Sequence, residues 1–243
     1  MKHVLTAIAI VVASTIVGAG NVDIHKDEIV RPGTGLKSVA IVNAQSRLAQ
    51  KEIDDVARLL DLSSDINVRT FASSDKDPAS LLATSGSEVV VVVKDDTTTP
   101  AMLIAPEDRW AIVNVGKLVD DLPSENAKQK FFVPRARKEI IRGFSLLCGG
   151  GSSQFPGNIM NVATIRMLDQ VKEQIPADMG YHYAEYLTQL GFKPKEWVPY
   201  EFACLEGWAP APTNDVQKAI WDKVHAMPAE PIKIKPEEKK TEK

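Results

Sequence analysis

The chain has 243 residues, 44% of them hydrophobic and 25% charged, with 14 Gly and 15 Pro. A chain of this length and apolar content can bury a substantial core, which excludes collagen-like, low-complexity and disulfide-dense scaffolds. Its formal charge of −3 gives it no general basic character, so no nucleic-acid partner is expected.

Residues 1–20 read MKHVLTAIAIVVASTIVGAG: Lys2, an apolar stretch from Val4 to Val17, then small residues. That order predicts a secretory signal peptide, too short in its apolar part to be a spanning helix. The expectation is an exported protein, periplasmic or secreted, with no membrane span after cleavage. In an oxidising compartment the two cysteines, Cys148 and Cys204, become candidates for a disulfide.

Ser38–Asn43 is a short apolar run and predicts a buried strand. From Ser46 to Leu60 the positions Leu48, Ile53, Val56, Leu59 and Leu60 recur at helical spacing. Ile66–Phe71 alternates as a strand does, and Pro78–Ala83 predicts a brief helix. Val89–Val93 is an unbroken run of valine, the mark of a central strand covered on both faces. Met102–Ile104 and Trp110–Val115, separated by a tight turn at 106–109, predict an antiparallel pair at a sheet edge.

A long helix follows, with Pro134 placed in its first turn and Ile140, Ile141, Phe144, Leu147 and Cys148 on its apolar face. Gly149–Gly151 closes it, glycine being suited to the left-handed cap. Further helices are predicted over Asn161–Gln174, Tyr181–Leu190 and from an Asn214 or Thr213 cap to Val224. The tail 228–243 is charged, has almost nothing to bury, and predicts disorder. The fold class is therefore α/β: one domain over 36–225, a mixed sheet with a long central helix and a C-terminal helical extension.

The long helix carries the one informative pattern, Lys138-Glu139-Ile140-Ile141-Arg142-Gly143-Phe144-Ser145-Leu146-Leu147-Cys148. It resembles, without gaps, the metzincin zinc signature H-E-x-x-H-x-x-G-x-x-H. Glu139 falls on the glutamate, while Lys138, Arg142 and Cys148 stand at the three histidines and Ser145 at the glycine. Met160, downstream, matches the methionine of the Met-turn, and the strand order matches too. Over roughly 38–170 the chain thus resembles a degenerate archaemetzincin-like zinc peptidase, and the resemblance implies a zincin fold.

A zincin helix works because two histidines four apart present nitrogens to one metal, and the glutamate takes a proton from metal-bound water. Lys138 and Arg142 are cations and cannot replace those nitrogens. No catalytic metal and no other cofactor is expected, and the resemblance implies a pseudopeptidase with a binding or scaffolding role in the cell envelope. The basic residues Arg135, Arg137, Lys138 and Arg142 around Glu139 make Lys138 and Arg142 candidates for an anion patch. The partner would be a protein, peptide or glycan, the last suggested by the aromatics Trp197, Tyr200, Phe202, Trp208 and Trp221.

Two alternatives stand beside this. One is an active hydrolase, either a metallopeptidase with non-standard ligands or an enzyme using Cys148 with His182 as base. The other is a structural envelope protein of unrelated α/β fold. Gly149–Ser153 lacks the strand, lysine and following helix that a phosphate-binding loop needs.

Overall fold

The computed structural model describes residues 25–174 and 180–227. The predicted signal peptide at 1–20 and the predicted tail at 228–243 lie outside the described residues. In chain order the elements are β1 (Glu28–Val30), β2 (Ser38–Ala44), α1 (Gln50–Ser64), β3 (Asn67–Ser73), α2 (Pro78–Ser85) and β4 (Val89–Lys94). Then come β5 (Met102–Ala105), β6 (Trp110–Asn114), α3 (Glu125–Leu147), α4 (Gly180–Gln189), β7 (Trp197–Pro199), α5 (Tyr200–Leu205) and α6 (Asp215–His225). They gather into two units, one spanning Pro32–Glu196 and the other formed by the described residues 25–31 and 197–227.

In the larger unit the valines of β4 are buried, as their run predicts. Val89, Val91 and Val93 enter one core cluster with α1 and α3, while Val90 and Val92 enter a second with Leu81 of α2. Burial of each such side chain stabilises the fold by about 1.5–3 kcal/mol. The five-stranded sheet has the order β3-β2-β4-β6-β5. β2 pairs in parallel with β3 and β4, and β4 with β6. β5 returns antiparallel on β6 with Met102 opposite Val113, which leaves β5 as the expected edge.

α3 differs from its prediction at its start. It begins at Glu125, where the Ser124 hydroxyl accepts from the Ala127 amide at 3.3 Å, an N-cap of the usual kind. Pro134 lies inside the helix rather than in its first turn. It faces solvent there, as does Lys130, whose carbonyl loses its helical partner and can turn to water. The far end is as read. Gly149 takes φ 84°, its amide donates to the Leu146 carbonyl at 3.2 Å and the Gly150 amide to Ser145 at 2.8 Å.

The helix expected over Asn161–Gln174 does not form. Two single 3-10 turns, Ile159–Asn161 and Ile165–Asp169, take its place. The polar groups of this stretch are committed elsewhere. Asn161 donates to the Ser153 and Phe155 carbonyls, both at 3.0 Å, and the Leu168 carbonyl accepts from Lys138 at 2.7 Å. A helix would need that carbonyl for its own ladder.

In the smaller unit β1 pairs antiparallel with β7, and Asn214 caps α6 by accepting from the Gln217 amide at 3.0 Å. Tyr200 is fully buried with its hydroxyl on the Pro210 carbonyl at 2.6 Å. Arg31 lies over the rings of Phe202 and Trp208 at 5.7 and 5.9 Å. The expected disulfide is absent: Cys148 and Cys204 are both free and buried, one in each unit. No helix among the described residues is long and apolar enough to cross a membrane.

Candidate functional site

The middle of α3 packs against the sheet at β5 and β6. Gly143 makes the approach possible, since a Cβ there would meet Val113 at 3.0 Å and Met102 at 3.6 Å. Beyond the helix the chain returns through the turn at Ile159–Asn161, where the Asn158 side chain accepts from the Met160 amide at 2.9 Å and donates to the Ser153 hydroxyl at 2.9 Å. Met160 is thereby fixed in the core, 6% exposed. Between β5, α3 and residues 162–165 lies a cleft of about 430 Å³.

Met102 and Ile104 of β5 form one wall, with Leu146 and Val162 opposite the sheet edge, and Glu139 and Arg142 supply the charge. Arg142 donates through Nη1 to Glu139 Oε1 at 3.1 Å and touches the Met102 sulfur at 3.7 Å. Burial pushes the Glu139 carboxyl above its ordinary value, and the nearby Arg142 cation works against that shift without cancelling it. Glu139 Oε2 and Arg142 Nε are buried and have no hydrogen-bond partner among the described residues.

The other cations of α3 go elsewhere. Arg135 is wholly buried, with Asp169 at 2.7 and 2.8 Å, Asp121 at 2.6 Å and the Leu118 carbonyl at 2.6 Å. Arg137 holds Glu173 at 2.6 Å and Glu52 at 2.9 Å, and Lys138 holds the Leu168 carbonyl. These three residues brace the segment 168–173, which follows the cleft-lining residues 162–165, against the helix. Of the candidate anion patch, only Arg142 lines the cleft; Lys138 does not. Sequence spacing placed Lys138 and Arg142 one turn apart, but a long side chain reaches whichever acceptor its neighbours present.

The residues present do not fit a zinc ion. At two of the three positions that the resemblance gives to histidines, Lys138 and Arg142 carry cations with no lone pair for a metal. Among the described residues no group of three His, Cys, Asp or Glu side chains is placed to hold a metal. His25 stacks on Trp197 at 4.0 Å and pairs with Glu28, and His225 stacks on Trp221 at 4.1 Å; both belong to the smaller unit. Full burial pushes the Cys148 thiol well above its ordinary range and leaves it unsuited to act as a nucleophile.

Sequence reasoning missed the carboxylates Asp121 and Asp169 and the asparagines Asn158 and Asn161. The one available cue was Asn158, two residues before Met160, since asparagine side chains commonly cap the amide two residues on.

No protein-family model and no curated protein matches the sequence. Among solved structures, an archaemetzincin from Methanopyrus kandleri is similar at 14% identity and a TM-score of 0.48, over 66% of this chain and 99% of that one. A zinc-dependent peptidase from Methanocorpusculum labreanum is similar at 14% identity and a TM-score of 0.45, over 60% of this chain and 99% of that one. An archaemetzincin from Archaeoglobus fulgidus, complexed with malonate, has 13% identity and a TM-score of 0.40 over 60% and 99% of the two chains.

Proposed function

We propose that the protein is an exported, non-catalytic binding protein built on a zincin-like framework, its cleft beside α3 holding a ligand where a peptidase holds zinc. The carrying observation is the ion pair of Glu139 with Arg142 at 3.1 Å in the cleft. In a zincin the glutamate needs a metal-bound water to deprotonate. Here its neighbour one turn on is a guanidinium, which holds the carboxylate and carries no lone pair for a metal. The ligand class on this reading is a protein, peptide or glycan group entering the cleft, and the compartment is the periplasm or the exterior.

Plasma mass spectrometry of protein purified without chelator tests this. The expected result is no stoichiometric zinc and no cleavage of a mixed peptide library. About one zinc per chain, the content of an ordinary catalytic site, overturns the reading.

A further inference from the structure

We propose that the protein self-associates through the outer edge of β3, two copies joining their five-stranded sheets across a two-fold axis at Phe71. The inference is independent of the cleft and concerns the opposite edge of the sheet, since β3 and β5 are the two ends of the strand order. β3 is seven residues long and contains no proline. Its inner side is paired with β2 throughout, Ser38–Ala44 against Asn67–Ser73. An edge of this length presents a row of outward N–H and C=O groups, which pairs with another strand unless something blunts it.

Here the blunting stops partway. The Val68 amide donates to Asp61 Oδ1 of α1 at 3.0 Å, so Val68 turns its backbone groups away from β2. Thr70 and Ala72 lie in step with Val68 and turn theirs outward too. Outside the β2–β3 ladder, no hydrogen bond reaches the backbone of Thr70 or Ala72 among the described residues. Ala72 is exposed, and Arg69 is the only charged residue of the strand.

A second copy is the fitting partner because this edge is complementary to itself. Laid antiparallel with Phe71 on the axis, Thr70 faces Ala72 of the second copy, and Ala72 faces its Thr70. Each N–H of such a pair donates to the C=O opposite, so every open group is satisfied and the Val68 amide keeps Asp61. Neighbouring registers lose the match. With Thr70 on the axis, Ala72 would need the Val68 amide that Asp61 holds; with Ala72 on the axis, Thr70 would need Ser74, beyond the strand.

Side chains agree with this register. Phe71 meets Phe71 as a non-hydrogen-bonded pair, where side chains stand closest, on the face where it already packs with the second core cluster. Arg69 stands opposite Ser73 and not another charge. On the other face Thr70 and Ala72 are small, and Thr70 donates to Asp54 of α1 at 2.6 Å. α1 runs opposite to β3, with Asp54 beside Thr70 and Asp61 beside Val68. The exposed Lys51, a turn before Asp54, therefore lies on the axis side of it. Two-fold symmetry sets Lys51 of each copy alongside Asp54 of the other, opposite charges meeting across the joint.

Sedimentation of the full chain across a concentration series should show a reversible monomer–dimer equilibrium. Hydrogen exchange should slow at the Thr70 and Ala72 amides as the dimer forms. Ala72→Pro removes an outward N–H and no bond of the β2–β3 ladder, so it should fold, by circular dichroism, and stay monomeric. Phe71→Cys reads the register: the Cα atoms of a non-hydrogen-bonded pair sit about 4.5 Å apart, within disulfide reach, and both native thiols are buried. Mild oxidation should give a disulfide-linked dimer from Phe71→Cys and none from Arg69→Cys. A monomer at every concentration overturns the proposal and leaves the edge to a strand from a different protein. A dimer untouched by Ala72→Pro, or a cross-link from Arg69→Cys in place of Phe71→Cys, overturns it as well. If Ala72→Pro does not fold, the exchange and the cross-links decide.

Discussion

Glu139 shows how one side chain can oppose the stability of its own fold at neutral pH. Its carboxyl is raised from the ordinary 4.5, first by burial, with Arg142 pulling the other way. Between 4.5 and the raised value the folded chain holds a proton that the unfolded chain has released. Stability from this group is therefore fully present below 4.5 and falls as pH rises through the folded value. Chemical denaturation of the wild type and Glu139→Gln across pH 4–8 should show the wild type losing ground to the variant as pH rises. A constant difference between the two would contradict the raised value. Asp121 carries the opposite sign. The Arg135 hydrogen bond holds its carboxyl below the usual 3.8, so its contribution is present above 3.8 and lost as pH falls through the lowered value.

At the scale of the element, α3 is both scaffold and brace. Its apolar face fills the core, while Arg135, Arg137 and Lys138 fasten the turns that follow it. Replacing Arg135 with Met should cost about 1–3 kcal/mol in urea unfolding. The estimate is modest because Asp121 and Asp169, 29% and 21% exposed, can rehydrate once the cation is gone. The same variant should open a new proteolytic cut within 150–174, where the released segment loses its tether. An unchanged digestion pattern would mean that Arg135 does not hold this segment.

Such braces explain which elements could be read from sequence. The strands of the five-stranded sheet and α1 announce themselves through local periodicity, Val89–Val93 above all, whereas β1 and β7, three residues each, carry no pattern long enough to read. The edge pair β5–β6 was legible because a tight turn brings two adjacent apolar runs back on each other. The turns at 159–169 were not legible, because they are decided by side chains arriving from α3, far away in sequence. The start of α3 was misread because Pro134 is a strong local cue, whereas the weaker Ser124–Glu125 cap is the one that operates. The site divides likewise: Glu139 and Arg142 were singled out by their spacing, and Lys138 was lost from the cleft to a carbonyl no local pattern reveals.

For the whole molecule, the cysteines give a clean test. Cys148 and Cys204 are buried free thiols in separate units. Alkylation in denaturant without reductant should label both, and alkylation of the native chain should label Cys148 only slowly. A mass with no label, rising by two labels after reduction, would require a bridge and would contradict the structure. Burial, not pairing, is what shields these thiols from oxidants.

The strand of five valines carries the least information about its own alignment. Slide β4 along β2 by one residue and valine replaces valine on both faces, so the hydrophobic pattern that usually fixes register is silent. Alignment is written instead in polar punctuation at the strand ends. The Glu88 amide docks on the Ser38 carbonyl at 3.0 Å at one end. At the other, the buried Asn114 side chain clasps the Asp96 and Thr99 carbonyls at 3.0 and 2.6 Å. Asn114, which no hydrophobic pattern would mark, is thus a spelling mark for the sheet, and the valines can remain interchangeable because it is there.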